Sequence, residues 1–338
     1  MNKSSNLLFS IMMMLSVIFS ISSNSWFTVW MGMEINMMAF LPLIMNQKNM
    51  TSKESALTYF LVQTIASMLM LMSIIIMMTN KMIINNTYNL IGELLLMSSL
   101  MIKSGISPFH MWMPKMMEGM DWNKCLILMT WQKITPMMML SLVFKMNFII
   151  TSAMMLSIIV GSIGGLNQTS LRKLMAYSSI NNNGWMLAAM MTSENMWMLY
   201  FSMYSLMMTL MTMSMMMHKI HHMNQLMSMN ESTYKKFMLL INILSISGLP
   251  PMMGFLPKWM VIQSSLNLNE LMIMGMMVML TLITIYYYMR MMYTMMMLTN
   301  SEPKWNLKSL NKSNNLMMPL TIITTIGLSM STMIISLF

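Results

Sequence analysis

Lys103, Lys133, Lys258 and Glu34 stand inside long apolar runs of a 338-residue chain. At 1.5 Å per helical residue, Glu34 and Lys133 lie on the order of 12–18 Å from the ends of their runs, near mid-depth in a bilayer. A charge there costs about 2.5–3.5 kcal/mol on insertion scales, and residues kept at that cost mark an ion path, a proton relay or a counter-ion pair. A structural salt bridge between Glu34 and one lysine is the plainer reading. It leaves two lysines with no carboxylate partner. Desolvation favours the neutral amine of a lysine, and a nearby carboxylate favours the ammonium. Moving a carboxylate's influence toward or away from a lysine would therefore load and unload a proton, which is the chemistry of a pump.

Two of these lysines stand beside residues that interrupt helices. One run reads Lys103-Ser-Gly-Ile-Ser-Pro108-Phe-His110-Met-Trp-Met-Pro114, and the other reads Ser247-Gly248-Leu-Pro250-Pro251-Met-Met-Gly254-Phe-Leu-Pro257-Lys258. Proline removes a backbone donor and clashes with the preceding turn, and glycine weakens a helix. Breaks are therefore expected at Pro108 and at Pro250 and Pro251. Carbonyls freed at that depth are tolerated only where they face protein or a wet cavity. Interrupted helices in both halves of a chain point to a transporter built from inverted repeats. His110 is the only histidine inside a run, which makes it a candidate relay and excludes a bis-histidine haem between helices. Glu93 and Arg290 lie close enough to run ends to reach headgroups or water. His218, His221 and His222 have helical spacing, yet no Cys or Asp stands nearby, so an exposed loop is expected and no metal.

The elements that must position these groups follow from composition. Only 8% of residues are charged, against about 25% in soluble domains, so most of the surface cannot face water. Apolar runs of roughly twenty residues fit the bilayer core. The expected fold is an all-α polytopic membrane protein of about 11 transmembrane helices, near 5–24, 26–46, 56–78, 89–112, 121–144, 147–166, 172–192, 197–217, 237–263, 270–297 and 316–338. It forms one membrane domain over 1–338, with approximate repeat halves 1–192 and 197–338. On this map thirteen basic residues fall on one side and two, Lys81 and Lys145, on the other. That bias places the N-terminus in the compartment of synthesis and the C-terminus across the membrane. Loop lysines facing anionic lipid such as cardiolipin account for most of the +10 net charge, so no nucleic-acid partner is needed.

Methionine supplies 66 residues and falls on every face of nearly every run, as a replaced leucine would. With arginine limited to Arg172 and Arg290, this reads as codon bias of an AT-rich genome with an extra Met codon, as in arthropod mitochondria. It does not read as a thioether metal site. One cysteine, Cys125, excludes a disulfide framework and a Cys-ligated cluster. Leu7 to Ser23 resembles a signal-peptide core, but further spans follow, so it is expected to stay. The lack of an Arg-rich amphipathic start suits synthesis inside the organelle.

Several stretches carry a family resemblance: Trp30-Met-Gly-Met-Glu34-Ile-Asn36, Lys103–Pro114, Thr130-Trp-Gln-Lys133-Ile-Thr-Pro136, Gly164-Gly-Leu-Asn167-Gln-Thr-Ser-Leu-Arg172-Lys-Leu-Met-Ala-Tyr177-Ser-Ser, and Gly248 to Trp259. Together, in this order, they resemble the subunit 2 family of mitochondrial NADH:ubiquinone oxidoreductase. The resemblance implies a shortened antiporter-like fold of two five-helix inverted repeats and one extra helix. It also implies a place in the membrane arm of complex I, in the mitochondrial inner membrane, beside adjacent antiporter-like and small membrane subunits. This chain would hold no cofactor and no metal; FMN, iron–sulfur clusters and ubiquinone would belong to other subunits. By the family pattern Glu34 and Lys103 form the charge-switching pair, Lys133 the central relay and Lys258 the terminal proton site. Two positions depart from that pattern. Asn182 stands where the family usually has His, and Asn cannot take up and release a proton. Lys115 stands where relatives often carry an acidic or neutral residue, so that loop is not expected to be catalytic. A free-standing cation/proton antiporter and a purely structural subunit are the competing expectations.

Overall fold

The computed structural model describes residues 3–46, 49–80, 86–145, 147–227, 233–250, 252–266 and 271–297. Pro251 and the expected span 316–338 lie outside the described residues. Fourteen helices run through them in the order α1 (Lys3–Ile21), α2 (Trp26–Ile44), α3 (Met50–Asn80), α4 (Asn86–Ser104), α5 (Trp112–Gly119), α6 (Trp122–Met129), α7 (Trp131–Val143), α8 (Phe148–Gly165), α9 (Leu171–Thr192), α10 (Glu194–His218), α11 (Met223–Met227), α12 (Thr233–Ser247), α13 (Phe255–Ser265) and α14 (Leu271–Met297). Among the described residues there is no strand beyond an isolated Ser170–His222 bridge. Among the described residues six segments, with Trp122–Val143 taken as one, are long and apolar enough to cross a membrane.

Met and Leu are good helix formers, and the many Ser and Thr residues do not break these helices because their hydroxyls bond back one turn. Ser20 Oγ donates to the Val17 carbonyl and Ser99 Oγ to the Leu96 carbonyl, both at 2.8 Å. Such back-bonding satisfies a hydroxyl where no water is at hand. The ends of α10 are set by local chemistry. Ser193 Oγ accepts from the Met196 N–H at the start. At the finish Lys219 is left-handed (φ 52°), with its N–H on the Met216 carbonyl and that of Ile220 on the Met215 carbonyl. This is the Schellman ending.

The chain divides into two compact units, Met1–Ala153 and Met154–Phe338. In the first, α1 packs on α2, α2 on α3, α3 on α4 and α5, and α4 on α7. In the second, α9 packs on α10 and α13, and α12 on α10 and α14. Helix α9 is the buried axis of this unit: every residue from Ser178 to Met190 is buried, including Ser179, Asn181, Asn182 and Asn183. Polar groups inside a bundle of apolar helices are expensive, and they usually face a functional interior.

Helix ends fall near both expected break points. Helix α4 stops at Ser104 in a second Schellman ending: Gly105 has φ +73°, its N–H reaches the Ile102 carbonyl and the Ile106 N–H reaches the Met101 carbonyl. Helix α12 stops at Ser247, followed by Gly248 at φ +79°. From sequence, Pro108 and Pro250, each close to a glycine, are the expected breakers here. Those prolines occupy the connecting segments, while glycines able to adopt the left-handed conformation end the helices.

Candidate functional site

In the first unit, Lys103 and Lys133 line one cavity of about 20 Å3, the space of about one water molecule. Lys103 is in the last turn of α4, where the helix dipole favours a cation. Its Nζ points to Met33 Sδ at 3.5 Å. Lys133 is only 2% exposed and stands in the first turn of α7. The proline three residues on lacks the N–H that would bond the Gln132 carbonyl, so a polar backbone group is freed beside this lysine.

Glu34 sits on α2 next to Met33. One carboxylate oxygen, Oε1, is buried with no hydrogen-bond partner. The chain neighbour of Glu34, Met33, is the residue that Lys103 Nζ reaches. The ion pairs formed among the described residues are Lys124–Asp121 and Lys145–Glu93, and neither involves Glu34. The plain salt bridge weighed as the alternative for Glu34 is therefore not formed. Its carboxylate is held within electrostatic reach of a lysine without being closed onto it.

Other groups in this cavity drew no role from the sequence. Gln132 Nε2 donates to Asn36 Oδ1 at 3.0 Å, and the Tyr59 hydroxyl donates to Gln132 Oε1 at 3.4 Å. Gln63 also lines the cavity. The signal was present: Asn36 and Gln132 are amides inside apolar runs, within two residues of Glu34 and Lys133. A wider polar pocket of about 250 Å3 lies on the same α3–α5 pair, lined by Thr51, Glu54, Ser55, Thr58, Lys115, Glu118 and Gly119. His110 lies in the α4–α5 connection. Its Nδ1 is 3.2 Å from both the Ser107 hydroxyl and the Pro108 carbonyl, and its own carbonyl accepts from the Met113 N–H as α5 begins.

In the second unit Lys258 is buried near the start of α13, and its Nζ donates to the Ser247 carbonyl at 3.1 Å. That carbonyl is one of those left without a partner where α12 ends, so the interruption itself supplies the lysine's acceptor. A Cβ on Gly248 would lie 2.9 Å from Lys258 Nζ. Gly248→Ala should therefore displace the ammonium and destabilise the chain by about 1 kcal/mol through strain at positive φ. A lowered thermal midpoint is the expected result, and an unchanged one would contradict this packing. Lys258 lines a cavity of about 20 Å3 with Asn182, Tyr200, Tyr204, Ser245 and Gly254 among others. Asn182, singled out as a family departure, accepts a hydrogen bond from the Tyr200 hydroxyl at 3.0 Å.

The weaker candidates resolve into local structure. Glu93 pairs with Lys145 at 2.7 Å on an exposed face, and Arg290 Nη2 donates to the Leu166 carbonyl at 2.7 Å, just past the end of α8. Exposed pairs contribute about 0–1 kcal/mol, so Glu93→Gln should leave the thermal midpoint near its parental value. A large drop in that variant would give Glu93 a structural role it lacks here. Among the described residues no group of three or more His, Cys, Asp or Glu could hold a metal ion. Cys125 is buried, with Sγ near the Met117 and Met120 carbonyls.

Residues 23–284 match the family model for the transmembrane part of NADH:quinone oxidoreductase/Mrp antiporter proteins. The chain is 46% identical to NADH-ubiquinone oxidoreductase chain 2 of Anopheles gambiae over 96% of its own length and 94% of that protein. It is 42% identical to the protein of the same name from Locusta migratoria, over 96% of this chain and 95% of the relative. Among solved structures, it resembles a chain of respiratory complex I from Thermus thermophilus with bound aureothin, with a TM-score of 0.81 at 20% identity, covering 97% of this chain and 78% of that one. It also resembles a chain of an archaeal membrane-bound sulfane sulfur reductase, with a TM-score of 0.84 at 16% identity, covering 96% and 73%.

Proposed function

The chain belongs to the NADH-ubiquinone oxidoreductase chain 2 family of antiporter-like membrane proteins, and from that premise we propose that it moves protons across the mitochondrial inner membrane as a core subunit of respiratory complex I. Electron transfer from NADH through FMN and iron–sulfur clusters to ubiquinone takes place in other subunits, and this chain contributes charge chemistry only. Its partners are the neighbouring membrane-arm subunits, with anionic lipid such as cardiolipin against the loop lysines. Eleven crossings, with the interrupted helices within two of them, set the N-terminus in the matrix and the C-terminus in the intermembrane space, in repeat halves 1–192 and 197–338.

The observation that carries this reading is the arrangement of Glu34, Lys103 and Lys133. Two lysines share a cavity the size of a water molecule, and a half-buried carboxylate whose Oε1 lacks a partner stands one residue from the Met33 that Lys103 reaches. When the carboxylate's field bears on Lys103, the ammonium is favoured; when that field weakens, the proton is released toward the cavity. Lys133 takes it up as the central relay, and Lys258 is the terminal site. His110 serves as a relay at the α4–α5 interruption. Moving one charge against 100 mV costs about 2.3 kcal/mol, which the redox reaction elsewhere must supply.

Lys103→Met tests the reading in assembled complex within inner-membrane vesicles. Quinone reduction or the protons moved per electron should fall. Parental values for both would overturn it, and so would ion-driven proton exchange by the isolated chain without NADH, which would mark a free-standing antiporter.

A further inference from the structure

The second unit contains a hydroxyl placed to serve Lys258. Tyr200, on α10, is 2% exposed, and Asn182, on α9, is 8% exposed. The phenol donates its proton to Asn182 Oδ1 at 3.0 Å, which leaves the phenol oxygen's lone pairs available as acceptors. Both side chains line the cavity that Lys258 lines. Its volume of about 20 Å3 admits one water, and a water needs two to four polar partners. Tyr200, Tyr204 and Lys258 bring three such groups to one small space. The Asn182 amide neither gains nor loses a proton near neutral pH, so it can aim a hydroxyl without competing for the proton it carries.

We propose that Tyr200, aimed by Asn182, is the hydroxyl relay through which protons reach and leave Lys258. The inference rests on the reading of Lys258 as a proton site. In the loading direction, a proton arriving through the cavity water forms a new O–H bond on Tyr200. The original phenol proton leaves Asn182 and passes to the neutral Lys258 amine, directly or through that water. On Tyr200 one O–H bond forms and one breaks, the O–H bond of the arriving hydronium is replaced by an N–H bond on Lys258, and the positive charge passes from the water to Lys258. No charge remains on Tyr200, whose new hydroxyl turns back to Asn182. Unloading is the reverse. Lys258 is meanwhile held by the Ser247 carbonyl, so the lysine stays at the cavity while the hydroxyl rotates. An amide at position 182 is thus compatible with proton traffic, because the exchangeable group is its neighbour on α10.

The test uses assembled complex in inner-membrane vesicles, with Tyr200→Phe and Lys258→Ala measured side by side. Tyr200→Phe keeps the ring and removes the relay oxygen. Coupled turnover should fall roughly tenfold, less than the 10²–10⁴ typical of a lost general acid–base because water can partly substitute. The solvent deuterium isotope effect on coupled turnover should change, a readout that a packing role would not move. Asn182→His in the Tyr200→Phe background should restore turnover, because imidazole exchanges a proton itself. Asn182→Val, which leaves the phenol in place but unaimed, should give a smaller loss in the same direction; it is decisive if Tyr200→Phe does not assemble. If Lys258→Ala is impaired while Tyr200→Phe and Asn182→Val keep parental turnover and isotope effect, the Tyr200 relay is overturned and the Lys258 reading stands. If Lys258→Ala itself is parental, both are overturned.

Discussion

Lys133→Met should lower NADH-driven quinone reduction coupled to proton movement by about a hundredfold, the lower end of what a lost proton-transfer group costs. Assembled complex should persist. The methionine fills nearly the same space, and this 2% exposed side chain stands among Met113, Leu128 and Pro136, so an apolar replacement is easily housed. Lys133→Arg sharpens the test. Arginine keeps the positive charge but does not deprotonate in proteins. A counter-charge that only holds helices together would survive that change, with turnover near parental. A relay that must release its proton would fail as badly as the methionine variant. Protons moved per electron in vesicles, with the amount of complex read from a native gel, decide between the two. An arginine variant that pumps normally would remove Lys133 from the path.

Much of the architecture was legible because a bilayer simplifies the reading. Where backbone groups cannot find water, apolar runs must be helical. The expected runs 26–46, 147–166, 172–192 and 270–297 accordingly became α2, α8, α9 and α14 within one to two residues. The ends of α10 were harder to read in a run of Met, Leu, Ser and Thr. They rest on a Ser193 cap and on a left-handed Lys219, a conformation that composition does not announce. At the helix ends near Pro108 and Pro250, where proline beside glycine was expected to act, it is the glycine that turns left-handed and the proline that follows in the connecting segment. Glu34, Lys103, Lys133 and Lys258 stood out because a charge inside an apolar run is conspicuous. Asn36, Gln132 and Tyr200 passed unassigned because neutral polar groups in a span are common, and their value here lies in hydrogen bonds that cross between helices. Asn182 was visible as a departure from the family pattern, and its meaning needed a second helix, the one that brings Tyr200 to it.

Glu34→Gln should separate function from stability, with the two moving in opposite directions. The buried Oε1 has no hydrogen-bond partner, and neither ion pair formed among the described residues is made by this side chain. A carboxylate in that position costs desolvation energy that no partner within hydrogen-bonding distance of Oε1 repays. The neutral amide removes the charge while keeping the shape, so the assembled complex should be at least as resistant to heat as the parent. Its coupled turnover should nevertheless fall by about tenfold, because the field that favours the Lys103 ammonium is gone. A structural ion pair makes the contrary prediction: breaking one leaves an uncompensated buried charge and destabilises by about 3–5 kcal/mol. Lys103→Met combined with Glu34→Gln completes the argument. If the two groups act as one switch, the double variant should be no slower than Lys103→Met alone, since effects within one unit do not add. Thermal inactivation and quinone reduction measured on all three variants distinguish the cases. A Glu34→Gln complex that loses heat resistance while its surviving fraction pumps at the parental rate would make Glu34 a structural residue.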